Sequence, residues 1–521
     1  MIRNFAVVGS GQATRERLTA ALAAAPDIAV YRIGRGADPL PVSATFDPSD
    51  QMGCRSLLDW FERGAPSGAV LLVDDWALCA EHDRELDQVI EWIAAFGPAR
   101  GVQVVVTARK WSDVPGRLRR HLDGEAADFL ALHEIETDLS NKQQRRDLKT
   151  AVGSDERGWP VYLHIAVGAD GYSGTYLGTA AQREQKLLAA LLGLMATHSS
   201  RDLNIGCFDM LNTGVFDGLD SAPHMAFSLT GDDSDEILER FRIGLDGELS
   251  RRQELVHKAD GCRNYNDYRD KRDENPRLDP LPALLVCVDS AEVLIGRNPR
   301  FKDTLDALTS AGRVMGIYLL YSGEAFPEQL RARIPEWPSA TPPYDLEEWA
   351  ETLPQALADS GPPAHTIVLP PLHQSPVELT LDMLPPGAMG IVDVPFEQRR
   401  AVFTPIFTSE ARYGAIVGKP GTGKSTALRT LATVLGDELP NYQLLDGPGE
   451  PLDPARHVVV TARTWAEVPA FIMKNLGFAI EFRLDDPATS LLDARQAALV
   501  PDRPGFALTL PGPVQSQIAV P

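Results

Sequence analysis

The sequence is short of positive charge. Its 521 residues include 50 Lys and Arg against 72 Asp and Glu, which gives a formal net charge of −22. A protein that binds nucleic acid without sequence preference needs a surplus of Lys and Arg to displace the counterions around the phosphates. The charge therefore argues against nucleic acid as a partner and leaves only a local basic groove open.

Long hydrophobic runs and paired cysteines are also missing. No stretch approaches the ~18 consecutive apolar residues of a membrane-spanning helix, and the first four residues do not resemble a signal peptide. A zinc site or a disulfide framework is not expected, because the cysteines are scattered and form no C-x-x-C pair. The five are Cys54, Cys79, Cys207, Cys262 and Cys287. We therefore expect a protein of the reducing cytoplasm.

The chain is too long for a single ordinary domain. At roughly 100–200 residues per domain, its length suggests about three domains. A hydrophobic fraction of 44% with 23% charged residues is typical of soluble globular protein, so each domain can bury a core. We predict domains at residues 1–137, 138–365 and 383–521, with a Pro-rich linker at 366–382.

One segment of the chain occurs twice. Val104–Pro115 reads V-V-V-T-A-R-K-W-S-D-V-P, and Val458–Pro469 reads V-V-V-T-A-R-T-W-A-E-V-P. An apolar run with a polar end, followed by a helical pattern, is typical of a buried parallel strand. A match of this length is not expected by chance, so the chain contains at least two copies of one α/β unit.

A second pattern, an apolar strand followed by glycine and a helix, occurs three times. The strands with their glycines are Phe5–Gly9, Thr175–Gly178 and Gly414–Gly418. Apolar runs next to helical patterns favour parallel strands with crossover helices. The predicted fold class is therefore α/β, with mostly parallel sheets.

The third copy carries a complete Walker A motif, or P-loop, G-x-x-x-x-G-K-S. Its glycines let backbone N–H groups surround phosphates, its lysine reaches the β- and γ-phosphate oxygens, and its serine holds Mg²⁺. The helix that follows directs its positive end at the anion. We predict that this segment binds ATP or a similar nucleotide with Mg²⁺, and that Ser425 is the metal ligand. The candidate binding residues are Gly418, Lys419, Pro420, Gly421, Thr422, Gly423, Lys424, Ser425 and Thr426.

The corresponding loops of the first two copies depart from this motif. Gly9–Glu16 has Arg15 in place of the lysine and Glu16 in place of the serine. A carboxylate there would repel phosphate, and arginine is bulkier than lysine and not equivalent to it. Gly178–Gln185 lacks the later glycines and again carries Arg-Glu. We expect neither loop to bind nucleotide.

Hydrolysis needs a Walker B strand, which ends in an Asp for Mg²⁺ and usually continues with a Glu that polarises water. Val70–Asp75 and Leu284–Ser290 each contain the Asp without the Glu, and either Asp can equally be a strand end or a helix cap. No apolar strand ending in Asp-Glu fits between Asp446 and His457 of the third domain. Asp446 and Glu450 are candidates for contact with Mg²⁺ or water, although ordinary loop carboxylates are the simpler interpretation.

The chain resembles the FtsK/SpoIIIE-type ATPases, specifically the EccC ATPases of type VII (ESX) secretion, which carry several such domains on one chain. The resemblance covers most of the sequence. Gly153–Val161 is similar to the strand pair before the first EccC ATPase domain, and Ala196–Ser199 and Glu248–Leu255 are similar to its helices. Val368–Leu372 and Gly390–Arg400 are similar to the linker and the opening motif of the second domain. The resemblance implies three tandem P-loop NTPase domains of the RecA/FtsK-like type, with the first and third shortened.

The chain also departs from that family. The first EccC ATPase domain has an intact P-loop, an Asp-Glu Walker B pair and a sensor-like Gln-Arg. The matching positions here are Arg183-Glu184, Asp289-Ser290 and Glu324-Ala325. We also expect an extra, shortened copy in front and no counterpart of the family's membrane-spanning N-terminus. The resemblance therefore implies a degenerate relative rather than the export motor itself.

The resemblance further implies an ATP-binding component of an ESX secretion complex that is weak or inactive in hydrolysis. Its partners would be the nucleotide, proteins of the complex and further copies of itself, with the membrane reached only through those partners at the inner face. Three alternatives stay open. The chain could be an active ATPase with its acid from a neighbouring subunit or from Asp74 or Asp75, an FtsK-like DNA translocase, or a structural protein that binds no nucleotide.

Overall fold

The structure is a computed structural model. It describes residues 3–9, 11–24, 28–35, 40–83, 85–135, 139, 147–166, 175–176, 183–323, 340, 342, 345–374, 378–408, 410–447, 451, 453 and 455–521. The chain forms two compact units. The first comprises the residues up to Asp232, Ala259–Gly296 and Leu305–His365, and the second comprises Asp233–Lys258, Arg297–Thr304 and Thr366–Pro521. The second unit thus includes a helix from within predicted domain 138–365, and the predicted domain ranges stay predictions.

The first sheet has six strands, all parallel, in the order β3-β2-β4-β5-β1-β6. The strands are β1 (Phe5–Val8), β2 (Ala29–Ile33), β3 (Ala44–Phe46), β4 (Ala69–Val73), β5 (Gln103–Ala108) and β6 (Asp123–Ala126). The helices of this region are α1 (Gly11–Ala23), α2 (Gln51–Gly64), α3 (Trp76–His82), α4 (Leu86–Phe96), α5 (Gly116–Arg119) and α6 (Phe129–Leu132).

Alternate residues of the central strands of this sheet reach two separate cores. Val104 and Val106 of β5 pack in one core with residues of α2 and α4. Val105, between them, packs in a second core with Leu18 and Leu22 of α1. Because helices cover β5 on both faces, its sequence is an uninterrupted apolar run rather than an alternating one.

The second sheet has five parallel strands in the order β11-β10-β12-β13-β9, and an antiparallel hairpin, β7–β8, precedes it. The strands are β7 (Leu148–Ser154), β8 (Pro160–Ala166), β9 (Thr175–Tyr176), β10 (Leu203–Asp209), β11 (Met225–Thr230), β12 (Ala283–Asp289) and β13 (Ile317–Tyr321). The helices in this stretch of chain are α7 (Arg183–Thr197), α8 (Asp235–Lys258), α9 (Tyr265–Glu274), α10 (Ala291–Arg297), α11 (Phe301–Ala307) and α12 (Leu346–Leu357).

The third sheet has eight strands in the order β15-β14-β21-β20-β19-β16-β18-β17. Strands β19, β16, β18 and β17 are mutually parallel, and the remaining pairs are antiparallel. The strands are β14 (Gly390–Val394), β15 (Arg399–Phe403), β16 (Tyr413–Val417), β17 (Tyr442–Leu445), β18 (His457–Ala462), β19 (Leu476–Phe482), β20 (Phe506–Leu510) and β21 (Val514–Ile518). Its helices are α13 (Lys424–Leu435), α14 (Ala470–Met473) and α15 (Ala494–Leu499).

The predicted α/β class with mostly parallel sheets is confirmed. The two copies of the repeated segment form β5 and β18, and each lies next to the strand that leads into a predicted P-loop. The registers agree, because Val8 pairs with Ala108 and Val417 pairs with Ala462. Within the described ranges, no helix combines the length and the apolar character needed to cross a bilayer.

In the second unit, a buried carboxylate joins α8 to the turn after β14. Glu248 is 1% exposed. It accepts hydrogen bonds from Arg251 (2.8 Å), Arg252 (2.7 Å) and the amide of Gln398 (2.8 Å). Burial by itself would raise the pKa of Glu248, but the charges of Arg252 and Arg251, with these hydrogen bonds, lower it to about 2.

Replacing Glu248 with Gln should destabilise the protein at neutral pH by roughly 3 kcal/mol, the equivalent of the pKa shift, because the variant leaves the arginines without their counter-charge. The folded-state pKa lies below the unfolded value of about 4.5, so this stabilisation is complete above that pH and is lost as the pH falls towards 2. In urea unfolding between pH 7 and pH 3, the difference between wild type and Glu248→Gln should shrink with falling pH.

The matched control is Glu254→Gln on the same helix. Glu254 forms an exposed pair with Lys258, which solvent screens, so this variant should change the unfolding midpoint little at any pH. A wild-type-to-Glu248→Gln difference that stays constant down to pH 3 would contradict the role of the Glu248 charge.

Candidate functional site

The predicted P-loop connects buried strand β16 to helix α13. Three backbone hydrogen bonds fix its position. The amide of Gly418 donates to Ala462 (3.2 Å), and that of Lys419 donates to Arg483 (2.9 Å). The carbonyl of Thr422 accepts from Gly505 (3.1 Å). The loop is therefore attached to the ends of the strands on both sides of β16 and to the segment before β20.

Three glycines of the loop are required by its geometry. Gly421 and Gly423 have φ of +83° and +109°, a region that other residues rarely adopt. At Gly418 a Cβ would lie 2.7 Å from the Cβ of Phe482. Among the described residues, no backbone carbonyl accepts from the amides of Gly421, Thr422 or Gly423. These amides, just before the N-terminus of α13, suit an anion.

The lysine of the motif folds against the beginning of the loop. Its Nζ donates to the carbonyls of Gly418 (2.7 Å) and Lys419 (3.0 Å). Partial burial, followed by the positive charge of Arg463, lowers the pKa of Lys424. A partly desolvated ammonium group interacts more strongly with an anion than one in bulk water does.

Ser425, the predicted metal ligand, lies beside a carboxylate. Its hydroxyl donates to Asp446, at 2.9 Å from Oδ2 and 3.2 Å from Oδ1. Thr461 of β18 donates to Oδ1 of the same carboxylate at 2.8 Å. Asp446 itself is exposed. The hydroxyl and the carboxylate are oxygen ligands of the kind that Mg²⁺ prefers, so these residues fit the predicted ion.

A short strand lies just before the segment between Asp446 and His457, in which no strand ending in Asp-Glu was expected. Residues 442–445 form strand β17, which pairs in parallel with β18, and Asp446 follows directly. The strand is short and only its last residue is buried, so its apolar signal in the sequence is weak. Glu450, the other acidic candidate, lies outside the described residues.

In the first domain, the connection from β1 to α1 is shorter than the predicted P-loop of the third domain. Helix α1 begins at Gly11, so two residues separate it from β1, whereas six separate α13 from β16. The gapless alignment that put Arg15 at the start of the helix is therefore wrong, because Arg15 lies one turn further along. Its guanidinium donates to both oxygens of Asp74, at 2.9 and 3.0 Å.

Asp74, the predicted Walker B residue of the first domain, is enclosed. It is 2% exposed and also contacts buried Arg32 (2.5 Å) and the hydroxyl of Thr107 (2.7 Å). The adjacent Asp75 pairs with Arg109 at 2.9 Å. Both carboxylates are therefore already paired with arginines of the first domain.

The second domain is described only in part. Its predicted loop at residues 178–182 and the sensor-like Glu324-Ala325 lie outside the described residues. Asp289, at the end of β12, is fully buried and accepts from the hydroxyl of Ser322 at 2.6 Å. The prediction that this loop binds no nucleotide stays a prediction.

A second acidic residue, which the sequence did not single out, flanks the P-loop strand on its other side. Glu481 of β19 pairs in register with Val417 and is fully buried. Burial raises the pKa of Glu481, and its oxygens accept from the indole of Trp465 and the hydroxyl of Ser490. These partners give Glu481 a structural role in holding the turn after β18.

A cavity of about 510 Å³ opens beside the end of the P-loop, and sequence reasoning missed it. Its wall includes Gly423 and Thr426 of the predicted site. The opposite wall comes from β20, β21 and the residues before them, with Arg503 lying over the ring of Phe506 at 5.3 Å. No local motif marks these residues, since the antiparallel strands bring them to the loop from about 80 positions away.

The comparisons with known proteins agree with this architecture. No family model matches the sequence. The chain is similar to the ESX-4 secretion system protein EccC4 of Mycobacterium tuberculosis H37Rv, with 25% identity over 569 residues, covering 71% of this chain and 46% of the relative. It is also similar to the ESX secretion system protein EccC of Thermomonospora curvata, with 24% identity over 412 residues, covering 56% of this chain and 31% of that protein. The chain thus spans less than half the length of either relative.

Two solved structures share the fold. The cytoplasmic domain of the Thermomonospora curvata type VII secretion ATPase EccC has a TM-score of 0.60 and 22% identity, covering 75% of this chain and 67% of that one. ATPases 2 and 3 of the same protein, in complex with a signal sequence peptide, have a TM-score of 0.54 and 15% identity, covering 72% of this chain and 93% of that one. The sheets described above are accordingly tandem P-loop NTPase-like domains. Sequence and fold similarity together support a relationship of this chain to the EccC-type ATPases of ESX secretion, in the FtsK/SpoIIIE family.

Proposed function

We propose that this chain is an ATP-binding EccC-type component of an ESX secretion system, and that Gly418–Thr426 hold ATP with Mg²⁺. One observation carries the proposal. The amides of Gly421–Gly423, the ammonium group of Lys424 and the hydroxyl of Ser425 follow one another at the N-terminus of α13, on a loop fixed by its neighbours. This is the set of groups that a bound triphosphate requires.

Each group has a distinct task. The loop amides and the helix N-terminus supply partial positive charge to the phosphates. Lys424 exchanges its bonds with the Gly418 and Lys419 carbonyls for bonds with phosphate oxygens. Ser425 supplies a hydroxyl to Mg²⁺, which neutralises phosphate charge when it is bound.

The cavity beside Gly423 and Thr426 suits the nucleoside. It continues from the end of the loop, where the phosphate chain joins the ribose, and its volume falls in the range of small-molecule sites. Arg503, whose guanidinium already lies over Phe506, can stack on a base at the mouth of this cavity.

Hydrolysis should be weak. Asp446 is followed by Gly447, where the resemblance places a water-polarising Glu in active domains. The Asp74 carboxylate of the first domain is occupied by arginines. ATP would then act mainly as a ligand that stabilises one folded state, contributing about 2.7 kcal/mol at a hundredfold excess over Kd.

The partners that we propose are protein subunits of the secretion complex at the cytoplasmic side of the membrane. Two relatives are ESX secretion proteins, and a fragment of one of them is solved with a signal sequence peptide. The net charge of −22 sets this chain apart from DNA translocases, which need basic surface to follow a duplex.

Replacing Lys424 with Ala should weaken Mg-ATP binding roughly 10- to 150-fold, because a charge-assisted contact of this kind contributes about 1.5–3 kcal/mol. Calorimetry on the full chain measures this. Lys474→Ala, an exposed lysine after α14, is the control and should bind as wild type does. Equal affinities for wild type and Lys424→Ala would contradict the assignment of the site.

Arg503→Ala tests the nucleoside end of the site. The variant should bind ATP about 2- to 5-fold more weakly, which corresponds to the loss of an exposed cation–π contact of roughly 0.5–1 kcal/mol. Its affinity for inorganic tripolyphosphate should not change, because the phosphates contact only the loop. A parallel loss for both ligands would place Arg503 at the phosphates instead.

Steady-state phosphate release should be slower than about 1 s⁻¹, below the turnover of a typical enzyme. The assay uses the same wild-type and Lys424→Ala samples as the calorimetry. Faster release that disappears in Lys424→Ala would instead establish an active ATPase.

A further inference from the structure

The first two domains share one arrangement at the end of the Walker B strand. Asp74 follows β4, and its carboxylate accepts a hydrogen bond from the hydroxyl of Thr107 on the neighbouring strand β5 at 2.7 Å. Asp289 ends β12, and its carboxylate accepts a hydrogen bond from the hydroxyl of Ser322, directly after the neighbouring strand β13, at 2.6 Å. The strand register places each acid directly opposite its hydroxyl. The last paired residues are Val73 and Val106 in the first domain and Val288 and Tyr321 in the second, and in each case the acid and the hydroxyl residue come next. The residue after each acid has a positive φ.

Asp446 of the third domain reproduces all of these features. It follows β17 and accepts from Thr461 of β18 at 2.8 Å. The last strand pair before it is Leu445–Val460, so it also lies opposite its hydroxyl. The next residue, Gly447, has φ of +117°. The strand that carries the hydroxyl is in each domain the neighbour of the strand that leads into the predicted P-loop.

The strand before Asp446 nevertheless has a different place in the order of elements along the chain. In the first domain, the strand that follows the first helix is β2, which is separated from β5 by β4. In the third domain, the strand that follows α13 is β17, and it pairs directly with β18. About ten residues join β17 to β18, too few for the helix, strand and helices that lie between β3 and β5. The chain segment with the Walker B strand is therefore missing, and the preceding strand occupies its place.

We propose that Asp446, moved into this position, is the carboxylate that holds Mg²⁺ together with Ser425. The proposal rests on nucleotide binding at Gly418–Thr426. Ser425 and Asp446 are already hydrogen-bonded to each other at 2.9 Å. An ion that takes oxygen ligands can bind both groups, directly or through its water shell.

The charge environment of the three acids supports the choice of Asp446. Asp74 is neutralised by the guanidinium groups of Arg15 and Arg32, so a cation of the protein itself already occupies that position. Asp446 is exposed, and the partners of its side chain among the described residues are the two hydroxyls. Lys424 of the P-loop interacts with Asp446 only through space, so among the described residues no arginine is paired with this carboxylate as Arg15 and Arg32 are with Asp74.

The same replacement explains why the site would hold Mg²⁺ without rapid hydrolysis. The position after the acid is Gly447, which cannot polarise water, and its φ of +117° would strain any other residue there. In this chain, the Walker B segment is missing, and with it the Glu that would follow the metal-binding Asp. Strand β17 supplies another carboxylate, Asp446, in the position of that Asp.

The test compares ATP binding in Mg²⁺ and in EDTA by calorimetry, with Mn²⁺ uptake in the presence of ATP followed by electron paramagnetic resonance. For Asp446→Asn, the gain in ATP affinity from Mg²⁺ and the affinity for Mn²⁺ should fall roughly 10- to 100-fold, with ATP binding in EDTA unchanged or tighter. Asp437→Asn, an exposed acid after the other end of α13, is the control and should behave as wild type.

Each outcome has one interpretation. If Asp446→Asn keeps the whole Mg²⁺-dependent gain and binds Mn²⁺ as wild type does, the assignment of Asp446 is overturned and the nucleotide site stands. If wild type binds no ATP in either buffer, the proposed function itself fails. An unchanged melting temperature of Asp446→Asn without ligand shows that the exposed substitution leaves the fold intact.

Discussion

The hydrogen bonds that the Asp446 carboxylate accepts from Ser425 and Thr461 join the first turn of α13 to strand β18. They connect Ser425, the second residue of the P-loop helix, to the edge of the sheet. Since parallel strands present their carboxyl ends at one edge, a strand-end acid, a strand-end hydroxyl and a helix N-terminus converge there. The candidate site is thus a consequence of sheet topology together with three side chains.

The first domain shows what happens at that edge when the loop is lost. Helix α1 begins two residues after β1, and the guanidinium of Arg15 binds Asp74. A buried carboxylate needs a counter-charge, and an arginine supplies it where a metal ion with a nucleotide would otherwise do so. The domain therefore keeps the architecture of a nucleotide-binding domain with an internal cation. The third domain has the Walker A sequence, and in its sheet β17 lies next to β18 where β4 lies next to β5 in the first domain.

Much of the fold was predictable, and the nucleotide site stays a prediction from the sequence. The Walker A motif, the repeated V-V-V-T-A-R segment and the apolar runs predicted parallel strands next to a phosphate loop, because burial on both faces leaves a strong local signal. Strand β17 was missed because an edge strand of four residues, largely half-buried, has almost no apolar run. The cavity around Arg503 was missed because antiparallel strands distant in sequence form its wall.

The sequence alone determined the loop, since Gly421 and Gly423 allow the positive φ of its backbone, and Lys424 and Ser425 begin the helix that follows. Tertiary structure alone decided which acid faces that loop. Asp446 and Asp74 are both strand-end aspartates, and nothing in their local sequence says that one meets hydroxyl groups and the other meets arginines. The difference arises because strand order in a sheet is set by packing between segments far apart in the chain.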